Sequence, residues 1–151
     1  MQADRRDDFL ATLTTNAGEA DAKVARRIMA WADDRDLRET YLSANVQGAA
    51  FSPVIRGTRM DVSPFNVASV DPDVYVAGEG LRRQTPFDIR ANYQELLDKL
   101  YAIPQVVKTP KSVFPHIALA DLADDDVWDR FFDVMGSVVD RVKRSAARGL
   151  S

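Results

Sequence analysis

The residues able to do chemistry in this chain are few, and their types narrow the field at once. There is one histidine, His116, and no cysteine among 151 residues. A thiol nucleophile, a disulfide, a thiolate metal centre and a redox pair are therefore excluded. No site needing two imidazoles can be built within one chain. A histidine acting as general base needs a nucleophile and an orienting acid beside it. No G-x-S-x-G elbow accompanies His116, so it reads first as a structural or solvent-facing side chain.

The acidic clusters do not read as metal sites. Asp124-Asp125-Asp126 lacks the glycine and distal glutamate of a calcium loop and is accounted for by helix capping. Asp71-Pro72-Asp73 is accounted for as a turn. Asp21-Ala22-Lys23 matches half of an acid, acid-x-lysine nuclease pattern, but that chemistry needs a strand and these residues fall on an amphipathic helix. Gly78-Glu79-Gly80 lacks the third glycine and the helix of a dinucleotide loop, and no phosphate-binding G-x-x-x-x-G-K-S/T occurs. The expectation is a chain with no catalytic residues, no metal and no cofactor.

What remains is a set of arginines beside aromatics. Arg56 and Arg59 flank Gly57, Tyr75 lies on a nearby candidate strand, and Tyr41 and His116 lie on others. An arginine–aromatic sheet surface can hold single-stranded nucleic acid or an anionic ligand. The candidate binding residues are thus Tyr41, Arg56, Arg59, Tyr75 and His116. The global balance gives no push in that direction: 20 Lys+Arg against 23 Asp+Glu leave a formal charge of −3. Residues 79–111 alone are mildly positive, with six basic and four acidic side chains. Arginine outnumbers lysine 15 to 5, a skew read as GC-rich coding rather than function.

The elements that must position these residues follow from hydrophobic spacing. A first helix is expected over residues 5–14, then a second to residue 35, entered by an Asn16/Glu19 capping box. Residues 40–55 carry no charge and read as strands, with further strands over 59–67 and 74–77. Pro53 and Pro64 suggest edges or bulges. Thr85-Pro86-Phe87-Asp88 has the form of a helix start. A loop is expected over 108–112 and a last strand over 113–119. A long final helix follows, capped within 121–126, with acids early and Arg141, Lys143, Arg144 and Arg148 late, in the order the helix dipole favours.

The order α-α-β-β-β-β-α-β-α predicts one α+β domain: a mainly antiparallel meander of four to five strands with helices packed on one face. Residues 1–15 are read as an N-terminal helix or arm, 16–145 as the domain, and 146–151 as a frayed tail. No apolar run reaches the roughly 20 residues of a membrane span. The charged start has no signal-peptide core, so a cytoplasmic location is expected.

Several short motifs add a resemblance. Trp31-Ala32 with Leu37-Arg38, Gly48-Ala-Ala-Phe51-Ser-Pro53-Val54, Pro86-Phe87-Asp88, Leu100-Tyr-Ala-Ile103-Pro104, and Phe114-Pro115 leading to Leu119-Ala-Asp121 resemble a family of small bacterial α+β domains of uncharacterised function. The resemblance covers about residues 20–143 and implies the same fold. In that family a glycine precedes the Leu37-Arg38 pair and a basic, glycine-rich loop follows the first strand. Here Asp36 and residues 43–47 stand instead. Members stand alone or are attached to larger proteins, some of them defence-related, and no catalytic residues carry over. The functional expectation is a non-enzymatic interaction module that binds a protein or nucleic-acid partner through its sheet face. The alternative is a binding domain for a small anionic molecule, or a weak hydrolase, with a pocket near Tyr41, Arg56, Tyr75 and His116. A homodimer through packed sheet faces is a third reading.

Overall fold

The computed structural model describes residues 2–42, 50–56, 61–69, 72–109 and 112–148. Helices α1 (Gln2–Ala17) and α2 (Glu19–Asp34) open the chain. The expected break at residue 14 does not occur. The hydroxyls of Thr12, Thr14 and Thr15 donate to carbonyls four residues back, and the helix runs on through Asn16. The break falls at Gly18, whose φ of 97° lies in the left-handed region open to glycine. Asn16 therefore does not cap α2; its amide donates to the Ser69 carbonyl at 3.1 Å. Phe9, Leu10 and Leu13 of α1 enter the same core as the rest of the chain.

The strands are β1 (Arg38–Leu42), β2 (Ala50–Val54), β3 (Phe65–Ala68), β4 (Asp73–Val76), β5 (Val107–Thr109) and β6 (Ser112–Ala118). They form one antiparallel sheet in the order β1-β2-β3-β4-β6-β5. The meander is as expected, but the sheet has six strands rather than four to five. The extra strand, β5, falls partly on the expected 108–112 loop; it is three residues long, too short to show a two-residue period. Pro53 pairs with Glu39 of β1, beyond the β2–β3 pairs Ala50–Ala68 and Phe51–Val67. Its carbonyl accepts from the Ser63 hydroxyl at 2.7 Å instead.

The remaining helices are the short α3 (Gly78–Leu81), α4 (Arg90–Tyr101) and α5 (Asp125–Ala147). Thr85-Pro86-Phe87-Asp88 does not start α4; it is a turn with a cis Thr85–Pro86 bond that delivers Phe87 to the core. Asp124 does cap α5, accepting from the Asp126 and Val127 amides.

Helices α1, α2 and α5 pack on one sheet face. Phe9 meets Phe51, Trp31 meets Phe65, and Phe131 and Phe132 of α5 meet Phe65. Val67, Val74, Val76 and Ile117 continue this buried layer, and α4 adds Leu96 and Leu100 beside α5. Burying each such side chain contributes on the order of 1.5–3 kcal/mol. Asp36, where the resemblance expects glycine, ends the α2 turn with φ 57°, the region glycine favours.

Candidate site on the outer sheet face

Strand alternation sends every second side chain to the face opposite the aromatic layer. On that outer face one row crosses the whole sheet. Thr40 stands opposite Ser52, and Ser52 donates its hydroxyl to the Asn66 side-chain oxygen. Asn66 stands opposite Tyr75, Tyr75 opposite His116, and His116 opposite Val107. Thr40 and Val107 are exposed, Asn66 and Tyr75 half-buried, and Ser52 and His116 buried. The row is therefore polar and aromatic in its middle and open at both ends.

His116 is the unusual member. Its ring lies face to face with that of Tyr75, centroids 5.3 Å apart and planes at 18°. It is only 6% exposed. Neither ring nitrogen has a hydrogen-bond partner. Asp73, on the same face, brings Oδ2 to 3.9 Å from Nδ1, beyond hydrogen-bond length. An imidazole always carries at least one N–H to donate, and an unmet buried polar group costs about 1–3 kcal/mol. Of the two expected readings, structural or solvent-facing, the burial of His116 leaves the structural one, with unmet valences. No hydroxyl is bonded to the ring among the described residues.

Of the sequence candidates among the described residues, only Tyr75 and His116 come together. Tyr41 packs on the helix side against Phe9 and Phe51, its hydroxyl donating to Glu39 at 2.7 Å. Arg56 stands exposed just beyond β2. Arg59 lies outside the described residues. Tyr41, Arg56, Tyr75 and His116 thus do not line one pocket, because Tyr41 belongs to the opposite face. Asp73 was read only as a turn residue; its two-residue spacing from Tyr75 is the signal that places both on one face.

A second feature lies between α4 and α5. There Phe87, Leu96, Ile103, Val134 and Val138 line a cavity of about 430 Å³. Arg141 borders it and also lines a neighbouring cavity of about 300 Å³ with Pro86, Arg144, Ser145 and Arg148. In the sequence these arginines complement the helix dipole, and their i, i+3, i+7 spacing also puts all three on one helix face. Among the described residues no group of three or more histidine or carboxylate side chains could hold a metal ion. No described helix is long and apolar enough to cross a membrane. Comparison with known protein families, curated proteins and solved structures finds no match for this chain.

Proposed function

We propose that the protein is a non-enzymatic interaction module that docks a protein partner on the outer sheet face. The observation that carries this reading is His116: buried, stacked on Tyr75, with both ring nitrogens unpartnered. A partner inserting a polar group beside the half-buried Tyr75 would meet those valences and recover the cost of leaving them empty. The exposed ends of the row, Thr40 and Val107, give such a partner room on either side. A protein fits better than a nucleic acid, because this face carries the Asp73 carboxylate, and Arg38 is occupied by Asp61. Phosphate backbones are held by sets of free cations. The resemblance to small bacterial α+β domains agrees, since it brings no catalytic residues.

The test places a photo-crosslinking residue at Thr40 or Val107, with Ala30 on exposed α2 as the control, in cells expressing the protein. The expected result is one crosslinked protein shared by the two sheet positions and absent from the control. That protein, purified, should bind His116→Leu about tenfold more weakly than the unaltered chain. Equal crosslinking from Ala30, or equal affinity for His116→Leu, would overturn the reading. A single-stranded oligonucleotide bound in a salt-dependent way, and lost in His116→Leu, would replace the protein partner with nucleic acid.

A further inference from the structure

We propose that the groove between α4 and α5 binds an amphipathic anion, its apolar body against Phe87, Leu96 and Val138 and its charged head at Arg141, Arg144 and Arg148. Two adjoining cavities carry the argument. The first, about 430 Å³, has an apolar floor and falls within the usual size of small-molecule sites. The second, about 300 Å³, is lined by three guanidinium groups and no carboxylate. Arg141 belongs to both and joins them, lying 5.0 Å over the Phe87 ring. A ligand spanning the two would have a hydrocarbon or aromatic part next to a carboxylate or phosphate.

The arginine end is not the ordinary mixed-charge surface seen elsewhere on these helices. Arg26 pairs with Glu19, Arg27 with Asp125 and Arg130 with Asp126. Arg141 pairs with Glu95 at 3.8 Å, whereas Arg144 and Arg148 pair with no carboxylate among the described residues. The like charges of Arg144 and Arg148, four residues apart on one helix face, repel, and a bound anion relieves that repulsion. Planar guanidinium groups also match carboxylate and phosphate oxygens two at a time. In the larger cavity Glu95 holds that pairing with Arg141, and Asp133 lines the same cavity. These carboxylates disfavour an anionic group in the larger cavity, so the charge of the ligand belongs beside Arg144 and Arg148.

The experiment titrates the purified protein with decyl phosphate and, separately, with inorganic phosphate, by calorimetry below the micelle-forming concentration. Decyl phosphate is expected to bind saturably, one per chain, and about tenfold or more tighter than phosphate. The double variant Arg144→Gln/Arg148→Gln should weaken both probes by about tenfold. Ser137→Trp, at an exposed rim position of the larger cavity, should weaken decyl phosphate and leave phosphate unchanged. All three substituted residues are exposed or at the rim, and circular dichroism checks that the variants fold. Equal affinity for the two probes, unchanged binding in the arginine variant, or no saturable binding would overturn the proposal. So would capture by phosphatidylglycerol vesicles without binding of free decyl phosphate, which would mark a membrane-surface patch instead.

Discussion

The imidazole of His116 lies parallel to the phenol ring of Tyr75 on the outer face of the sheet, 5.3 Å between centroids. The stack holds the histidine in place without satisfying it, because ring faces offer no partner to the in-plane nitrogens. A structural histidine would normally have found those partners during folding. Replacing His116 by leucine removes two orphaned polar atoms and keeps an apolar side chain against Tyr75. We expect His116→Leu to be neutral or to raise stability by about 1 kcal/mol, measured by urea unfolding. A loss of more than about 1 kcal/mol would mean that the imidazole makes hydrogen bonds essential to the fold.

A second buried polar group behaves in the opposite way. The Glu39 side chain is 4% exposed, paired with Arg6 of α1 and accepting from Tyr41. This contact ties the first helix to the first strand. Arg6→Leu leaves the carboxylate buried with no countercharge and should cost about 3 kcal/mol, the lower end for a broken buried pair because Arg6 keeps some contact with water. Pairing Arg6→Leu with Glu39→Leu should restore most of the loss. If the single variant costs no more than a surface ion pair, the carboxylate must find water on opening.

The same cluster sets an alkaline limit. Burial pushes the Tyr41 phenol above its ordinary value of 10.0, with the Arg6 guanidinium pulling the other way. The folded chain therefore holds the proton more tightly than the unfolded one. The resulting stability is fully present below that ordinary value and is lost as pH rises through the higher folded one. Urea melts at about pH 9 and about pH 11 should show this loss, and Tyr41→Phe should reduce it. Tyr101, also raised by burial, leaves a residual slope. An identical pH profile in Tyr41→Phe would remove Tyr41 as the cause.

How far the sequence was legible depended on the range of the forces involved. The stripe of Trp128, Phe131, Phe132, Met135, Val138, Val139 and Val142 fixed α5 and its buried side, because helical period and burial are the same signal there. Asp124 was legible as a cap for the same local reason. Asn16 looked like an equally good cap, yet the flexibility of Gly18 two residues later decided the break. The row from Thr40 to Val107 was not legible, since it depends on the register of six strands meeting across gaps of up to dozens of residues. Tyr41 was misplaced for that reason: its strand was seen, its face was not.

Asp36 offers a test of backbone chemistry. It follows α2 with φ 57°, a conformation that side chains other than glycine adopt at a cost, though aspartate tolerates it better than most. The backbone there is held by the Asp36 amide bonding to the Asp33 carbonyl at 3.0 Å and that of Leu37 to Ala32 at 3.1 Å. Asp36→Gly keeps those bonds and removes the strain of the Cβ. It should stabilise the protein by about 0.5–1 kcal/mol, reduced somewhat by the greater freedom of glycine in the unfolded chain. Asp36→Val should destabilise by more than that, since a β-branched side chain is a poor fit to the left-handed region. Thermal melts of the two variants moving in the same direction would contradict the assignment.

Gly136 tests how the long helix accommodates a charged neighbour. A Cβ added there would lie 2.9 Å from the Arg35 Nη2 atom. Arg35 is otherwise seated over the Trp31 ring at 4.5 Å, and its carbonyl accepts from the Lys143 side chain. Alanine in place of glycine inside a helix is worth about 0.5–1 kcal/mol in backbone terms. Against that, the Arg35 guanidinium must move and weaken its contact with Trp31, a cation–π interaction of about 0.5–1 kcal/mol at a partly open site. The two effects are of similar size, so Gly136→Ala alone should be close to neutral. In an Arg35→Ala background the obstruction is gone and the same substitution should stabilise by the full helix increment. The double-mutant cycle therefore has a non-zero coupling of about 0.5–1 kcal/mol, and additive effects would show that Arg35 yields without cost.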